Sequence, residues 1–453
     1  MYIRLNFSWL LLLVFIYFPA DAKAAIAYDA LVAKDGSGKF TSIQQAINNA
    51  PQGRTTPYKI FIKAGTYTEQ VIIPATKPFI ELIGEDVART TIDYGDGKGG
   101  TSVVIINSND CMLMNITMEN TQGRLFDGPQ SLAVRTNADR IVFFNCRFIS
   151  GQDTVLTNRV ANRVYFNNCY IDGNTDFIYG AAVAVFDRCV IFPRDRVDHG
   201  KGGYVTAAST PVGQQYGLVL RNCIMPNNHG LTNYTLGRPW QNDSRTETQG
   251  RKRAENKVVF LNTTMGNSIV PTGWSIWDNG TKTAVITYGE YKTTKFDGTP
   301  IDLSQRVPWS QQLTDSAAKL YYDNKLLFGD WDPFTIWKDL PQKTTAHSIV
   351  IANFMARSIN NMAVLQFNSS WPQNGVTYQL LTSPDKLASF KETNRLITKT
   401  NTIAAYQFNI AMPSENQVTY YLIRASKGNA VEMSDTLSVS VAGLTNSHNF
   451  REK

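Results

Sequence analysis

The stretch DRIVFFNCRFISGQDTVLTNRVANRVYFNNCYIDGNTDFIYGAAVAVFDRCVI, residues 139–191, decides the fold. Aligned on cysteine, DRIVFFNCRF (139–148) lies over NRVYFNNCYI (162–171) and, with one extra residue before the cysteine, over AAVAVFDRCVI (181–191). The cysteine spacings of 23 and 20 residues are those of a short repeat. Each unit joins a run rich in Val, Ile, Phe and Tyr to a polar turn containing Gly or Asn. No long amphipathic helical period interrupts residues 60 to 290. Strands and turns repeated at this length without helices predict a parallel β-helix, in which each coil stacks on the last.

Five cysteines recur in similar apolar contexts: Cys111 in NDCML, Cys146 in FNCRF, Cys169 in NNCYI, Cys189 in DRCVI and Cys223 in RNCIM. An odd count leaves at least one unpaired, and buried cysteine packs as a small hydrophobe, so free thiols stacked in the core are expected rather than bridges. The longer gaps, 35 residues before Cys146 and 34 before Cys223, hold the extra loops GRLFDGPQ and PRDRVDHGKGG. Loops on one flank of a rigid solenoid are where a binding cleft is built.

Asp153 follows Cys146 by seven residues, and Asp176 follows Cys169 by seven. If the cysteines are in register, the two carboxylates face each other across one strand spacing of about 4.8 Å. At an effective dielectric near 20 their repulsion is roughly 3 kcal/mol, equivalent to about two pKa units. One of them then holds a proton near neutral pH while the other is ionised, which makes an acid and a nucleophile from one residue type. Taken singly, either aspartate reads as an ordinary turn residue; the shared register and the adjacent Gln152 favour the paired reading.

The 453 residues are long enough for more than one domain. The apolar run WLLLLVFIYFP, 11 residues ahead of Ala22-Lys23-Ala24, predicts a signal peptide over residues 1–24. It is shorter than the roughly 20 residues that a span needs, so the mature chain is expected to be secreted, extracellular or periplasmic, with no membrane association after cleavage. A net charge of +7 suits attraction to an acidic polymer, and no basic and aromatic recognition motif speaks for nucleic acid. There are four histidines, none beside a GxSxG elbow, and no Cys or His pair has zinc spacing. DYGDGKGG (93–100) lacks the ligand spacing and distal glutamate of a calcium loop. No metal and no cofactor are expected.

KDGSGKFTSIQQAINNAP (34–51), KAGTYTEQVIIP (63–74), GQDTV (151–155), TDFIYG (175–180), LGRPW (236–240) and PTGW (271–274) occur in an order and approximate spacing that resemble the pectin methylesterases. Six ordered motifs are far more specific than any one, and the resemblance covers roughly residues 29–335. It implies a right-handed parallel β-helix that hydrolyses methyl esters of galacturonate in pectin. By the same resemblance, Asp176 corresponds to the nucleophile and Asp153 to the general acid and base. Gln152 and Gln130 correspond to the oxyanion-stabilising amides, and Arg238 and Trp240 to residues that orient the nucleophile and contact the sugar. Tyr179 stands where Phe is common, an exchange read as conservative.

Two rival readings keep the β-helix: a pectin-binding protein without activity, and a polyuronate lyase. The chain is expected to act as a monomer. After about residue 340 short alternating strands separated by turn signals predict an all-β second unit. Its closing YYLIRASKGNAVEMSDTLSVSV resembles the last strands of a fibronectin type III-like β-sandwich. The expected division is therefore 1–24 signal peptide, 25–340 catalytic β-helix and 346–445 β-sandwich.

Overall fold

The computed structural model describes residues 27–125, 128–194, 202–225, 233–242, 254–295 and 298–334, and beyond these the strands between 351 and 439. The leader expected over 1–24, residues 335–350 of the interdomain region and most of the polar run at 241–256 lie outside the described residues. Among the described residues no helix is long and apolar enough to cross a membrane.

Residues 30–312 wind into three parallel sheets of 11, 7 and 8 strands, and successive coils add strands to them in turn. This is the expected parallel β-helix. Coil register is visible in the 11-stranded sheet, where Phe143 pairs with Phe166 and Phe166 with Phe186. The three rings stack inside the solenoid, with centroids 4.8 and 4.4 Å apart and planes tilted by 15° and 10°. A phenylalanine at one coil position thus packs on the phenylalanine of the next, and burial against a like neighbour holds the pitch.

All five cysteines are free and buried. Four of them form the expected column, since Arg147 pairs with Tyr170, Tyr170 with Val190 and Val190 with Ile224, each residue directly following a cysteine. Cys111 does not belong to it. It pairs with Ile141, at the start of a strand, and Ile116 occupies the cysteine position on its coil because Thr117 pairs with Arg147. Similar flanking residues concealed a five-residue difference in register.

Ahead of the column the chain turns on a single residue. Asn115, Asn145 and Asn168 have φ of 56°, 51° and 55°, in the left-handed region that asparagine tolerates best after glycine. Their amides form a ladder, Asn145 donating to Asn115 at 2.8 Å and Asn168 to Asn145 at 3.2 Å.

The open N-terminal end of the solenoid is covered by the helix Ile43–Asn49, whose Ile43, Ala46 and Ile47 join the core. Ser42 caps it, and Glu69 accepts from the Ser42 hydroxyl at 2.7 Å and from the Ile43 and Gln44 N–H groups at 2.8 and 3.0 Å. The exposed donors of the first turn are thereby satisfied. After the last coil the chain runs back along the solenoid, and the helices Asp315–Leu320 and Asn324–Phe328 lay Ala318, Leu327 and Phe328 on the 11-stranded sheet, in a cluster that includes Met114, Val142 and Tyr165 of its middle strands.

The later strands are antiparallel. Ile351–Ile359, Met362–Ser369 and Ala405–Ala411 form one sheet, and Thr377–Ser383, Lys391–Ile397, Thr419–Lys427, Ala430–Met433 and Leu437–Val439 another. Phe367 of the first meets Tyr378 of the second with ring centroids 5.0 Å apart.

Replacing Phe166 by Ala removes the middle ring of the stack. Unfolding free energy should fall by about 3–5 kcal/mol, read as a lower denaturant midpoint at unchanged slope.

Candidate active site

Asp153 and Asp176 stand in the turns that lead into the strands Val155–Thr157 and Ile178–Gly180 of the seven-stranded sheet. Val155 pairs with Ile178, and Gln152 forms a bridge with Thr175, so the aspartates occupy the same rung on adjacent coils. Asp153 N–H donates to the Thr175 carbonyl at 3.0 Å, and Val155 N–H to that of Phe177 at 2.9 Å. Both aspartates are left-handed, with φ of 66° and 50°. A short polar side chain tolerates that conformation better than a branched one.

One coil lower the same step recurs, Ser131 N–H donating to the Gln152 carbonyl at 3.0 Å. Gln130 therefore precedes the Ser131 rung as Gln152 precedes the Asp153 rung. Gln152 is half-buried. Gln130 is exposed, and its backbone carbonyl accepts from Gly100 N–H at 2.7 Å.

Arg238 reaches the pair from two coils further on. Its Nε and Nη2 donate to the two oxygens of Asp176 at 2.8 and 2.6 Å, a bidentate ion pair. The strand Thr235–Gly237 that carries it packs tightly on its neighbour: a Cβ on Gly237 would lie 2.0 Å from Thr206 Oγ1. Backbone bonds from Arg238 N–H to Thr206 (2.9 Å) and from Leu236 N–H to Gly273 (2.7 Å) hold it on both sides. PTGW thus serves LGRPW from behind, and Trp274 is buried in the core rather than in the cleft.

Two residues that the sequence reading missed complete the surroundings. The Arg238 guanidinium lies 3.9 Å from the ring centroid of Tyr204 and 4.1 Å from that of Trp277, both half-buried. Such contacts hold a guanidinium without competing for its N–H donors. Trp240 is half-buried beside them, 6.5 Å from Trp277 and 5.8 Å edge-on from Tyr179. With Leu132, Leu156 and Ala207 these rings make an apolar patch next to the carboxylates.

The electrostatics separate the two aspartates. Burial pushes the Asp153 carboxyl up to about 7, and the charge of Asp176 adds to the rise, while Tyr179, Arg238 and Gln152 oppose it. Asp176 is also raised by burial, and the Arg238 ion pair counteracts that. Desolvation, not repulsion as the sequence had suggested, is the larger cause. Arg238 pairs with Asp176 and not with Asp153, so it favours the negative charge on Asp176 and leaves the proton to Asp153, whose carboxyl is pushed up to about 7.

Residues 29–330 match the family model described as Pectinesterase. The chain belongs to the pectinesterase family. Pectinesterase 4 of Arabidopsis thaliana is 33% identical over 65% of this chain, which spans 49% of that relative's length. Among solved structures, pectin methylesterase from carrot is 28% identical with a TM-score of 0.59, the match covering 68% of this chain and 94% of that one. A pectin methylesterase in complex with hexasaccharide VII is 30% identical with a TM-score of 0.57, over 68% of this chain and 99% of that one. The pectinesterase match ends before the antiparallel strands begin.

Replacing Arg238 by Gln would leave the buried Asp176 without its cation. The Asp176 carboxyl should then titrate at higher pH, as followed by carboxyl carbon NMR, and stability at neutral pH should drop by about 3 kcal/mol.

Proposed function

We propose that the pectin methyl ester hydrolysis that goes with membership of the pectinesterase family is carried out in this chain by Asp176 as nucleophile and Asp153 as general acid and base. The observation that carries this reading is the bidentate Arg238–Asp176 pair beside an Asp153 raised to about 7. Ionised Asp176 attacks the ester carbonyl carbon, and the Gln152 and Gln130 amides donate N–H groups to the developing oxyanion. Collapse of that intermediate breaks the C–O bond to the methoxy group, which takes the proton of Asp153 and leaves as methanol. Asp153, now a carboxylate, draws a proton from water while the water oxygen attacks the acyl-enzyme. Asp176 is released, Asp153 is reprotonated, and the product is a free galacturonate.

Trp240, in the apolar patch beside the carboxylates, offers a flat face to a sugar ring. The hexasaccharide complex of a relative supports an oligosaccharide substrate for such a cleft. The catalytic unit is read as residues 25–340. The strands from 351 to 439, with Phe367 against Tyr378, support a second unit at 346–445 with a fibronectin type III-like β-sandwich fold and no part in the chemistry.

Asp176→Asn keeps the side-chain shape and the coil scaffold, so secondary structure should be unchanged while methanol release from methylated pectin falls about a thousandfold or more. Near-normal methanol release would remove Asp176 from its role, and ultraviolet absorbance from unsaturated products would point to a lyase. A chain ending at Thr345 should stay folded and release methanol from soluble pectin at the full-length rate. Loss of that rate with intact secondary structure would mean that the C-terminal strands complete the site.

A further inference from the structure

The strand Ser131–Thr136 is bulged. Ala133 and Val134 N–H both donate to the Thr154 carbonyl, at 2.9 and 3.2 Å, so two residues face one, and such a bulge re-aims the side chains that follow. Counted from Ser131, whose N–H donates to the Gln152 carbonyl, Val134 would face Leu156; the extra residue puts Arg135 there instead. Leu156 pairs in turn with Tyr179, and both belong to the apolar patch around Trp240, so Arg135 prolongs that row by one coil. Its side chain is half-buried and turns towards Gln130. Arg135 Nη2 donates to the Gly100 carbonyl at 3.2 Å, and Gly100 N–H donates to the Gln130 carbonyl at 2.7 Å. A Cβ on the adjoining Gly99 would lie 3.6 Å from Gln130 Oε1. Other arginines of the solenoid have carboxylates: Arg140 has Asp110 and Asp139, Arg163 has Asp139, and Arg306 has Glu290. Among the described residues no carboxylate pairs with Arg135, and its Nε is buried without a hydrogen-bond partner.

We propose that Arg135 is a substrate-binding residue that takes the free carboxylate of a galacturonate unit neighbouring the ester under attack. This rests on hydrolysis at the Asp153–Asp176 pair. Each turnover there converts a methyl ester into a carboxylate, so a partly de-esterified pectin chain presents both groups. A guanidinium matches a carboxylate with two N–H donors and gains its charge, whereas a methyl ester is neutral, so the site separates the two. Arg238 cannot do this, because its donors are engaged by Asp176. Arg135 lies one coil from Asp153 and two from Asp176, about 10 Å along the stack at the usual strand spacing. The carboxylate it holds is therefore carried by a different sugar from the reacting one. A buried donor without a partner costs free energy in the free protein, and the ligand recovers it.

Arg135→Gln removes the charge and keeps an amide of similar reach. The ratio of kcat/KM for methanol release from pectin of intermediate methylation to that from fully methylated pectin should fall about tenfold, as for one lost charged hydrogen bond, with the loss residing in KM. Arg135→Lys should recover part of the ratio, since it restores the charge without the planar fork. Fully de-esterified oligogalacturonate, titrated by calorimetry, should bind the Arg135→Gln chain about tenfold more weakly than the unaltered chain. An unchanged ratio, or equal oligogalacturonate binding by two folded chains, overturns the proposal. The binding measurement needs no turnover. An unaltered chain that binds the oligogalacturonate through Arg135 and releases no methanol therefore overturns the hydrolytic reading and upholds the carboxylate subsite, whereas normal methanol release with an unchanged ratio overturns the subsite alone.

Discussion

The ladder of backbone hydrogen bonds between coils is the constraint on which the rest depends. Asp153 N–H bound to the Thr175 carbonyl at 3.0 Å lies at the entry to the seven-stranded sheet, and the same coil-on-coil stacking sets Phe143, Phe166 and Phe186 in the 11-stranded sheet. Because parallel strands allow one register, burial of the phenylalanine column and placement of the two carboxylates are one event. A slip by one residue would turn the apolar face outward and separate the aspartates. The energy that holds them together comes from the core, not from the carboxylates, which destabilise their own juxtaposition.

Two aspartates in like positions would share a proton without preference. The asymmetry comes from Arg238, which approaches Asp176 alone, with two rings on its guanidinium and glycines at positions 237 and 273 admitting its strand and the segment behind it. A half-buried guanidinium is costly to desolvate, and its bidentate pair with a buried carboxylate offsets that cost. Among the described residues no cation pairs with Asp153, and the neighbouring Tyr179, Arg238 and Gln152 only partly oppose the rise of its carboxyl. The same residue type therefore meets two electrostatic environments a coil apart, as the proposed acid and nucleophile chemistry requires.

Much of this was legible in the chain. The 23-residue spacing of Cys146 and Cys169 is preserved from the cysteines through Asp153 and Asp176, because the two coils are equally long over that span. Equal length converts sequence offset into spatial register, so the repeat, the parallel β-helix and the carboxylate pair could all be read by counting. The resemblance of ordered motifs added Arg238 and Trp240, and the fold brings both to the pair.

Only the tertiary structure decided what counting cannot reach. Cys111 looked like its fellows but sits in another register, since local context does not report where a strand begins. Tyr204 and Trp277 are separated from Asp176 by coils of different length, so no period connects them to it, and their contact with Arg238 exists only once the coils are stacked. Trp274 and Trp240 are both tryptophans of matched motifs, yet one is core and the other faces the cleft, because strand geometry and not residue type selects the side. Sequence determined the repeat and therefore the rung that each aspartate occupies; the fold alone determined which charges, donors and rings surround that rung, because those come from coils whose lengths differ.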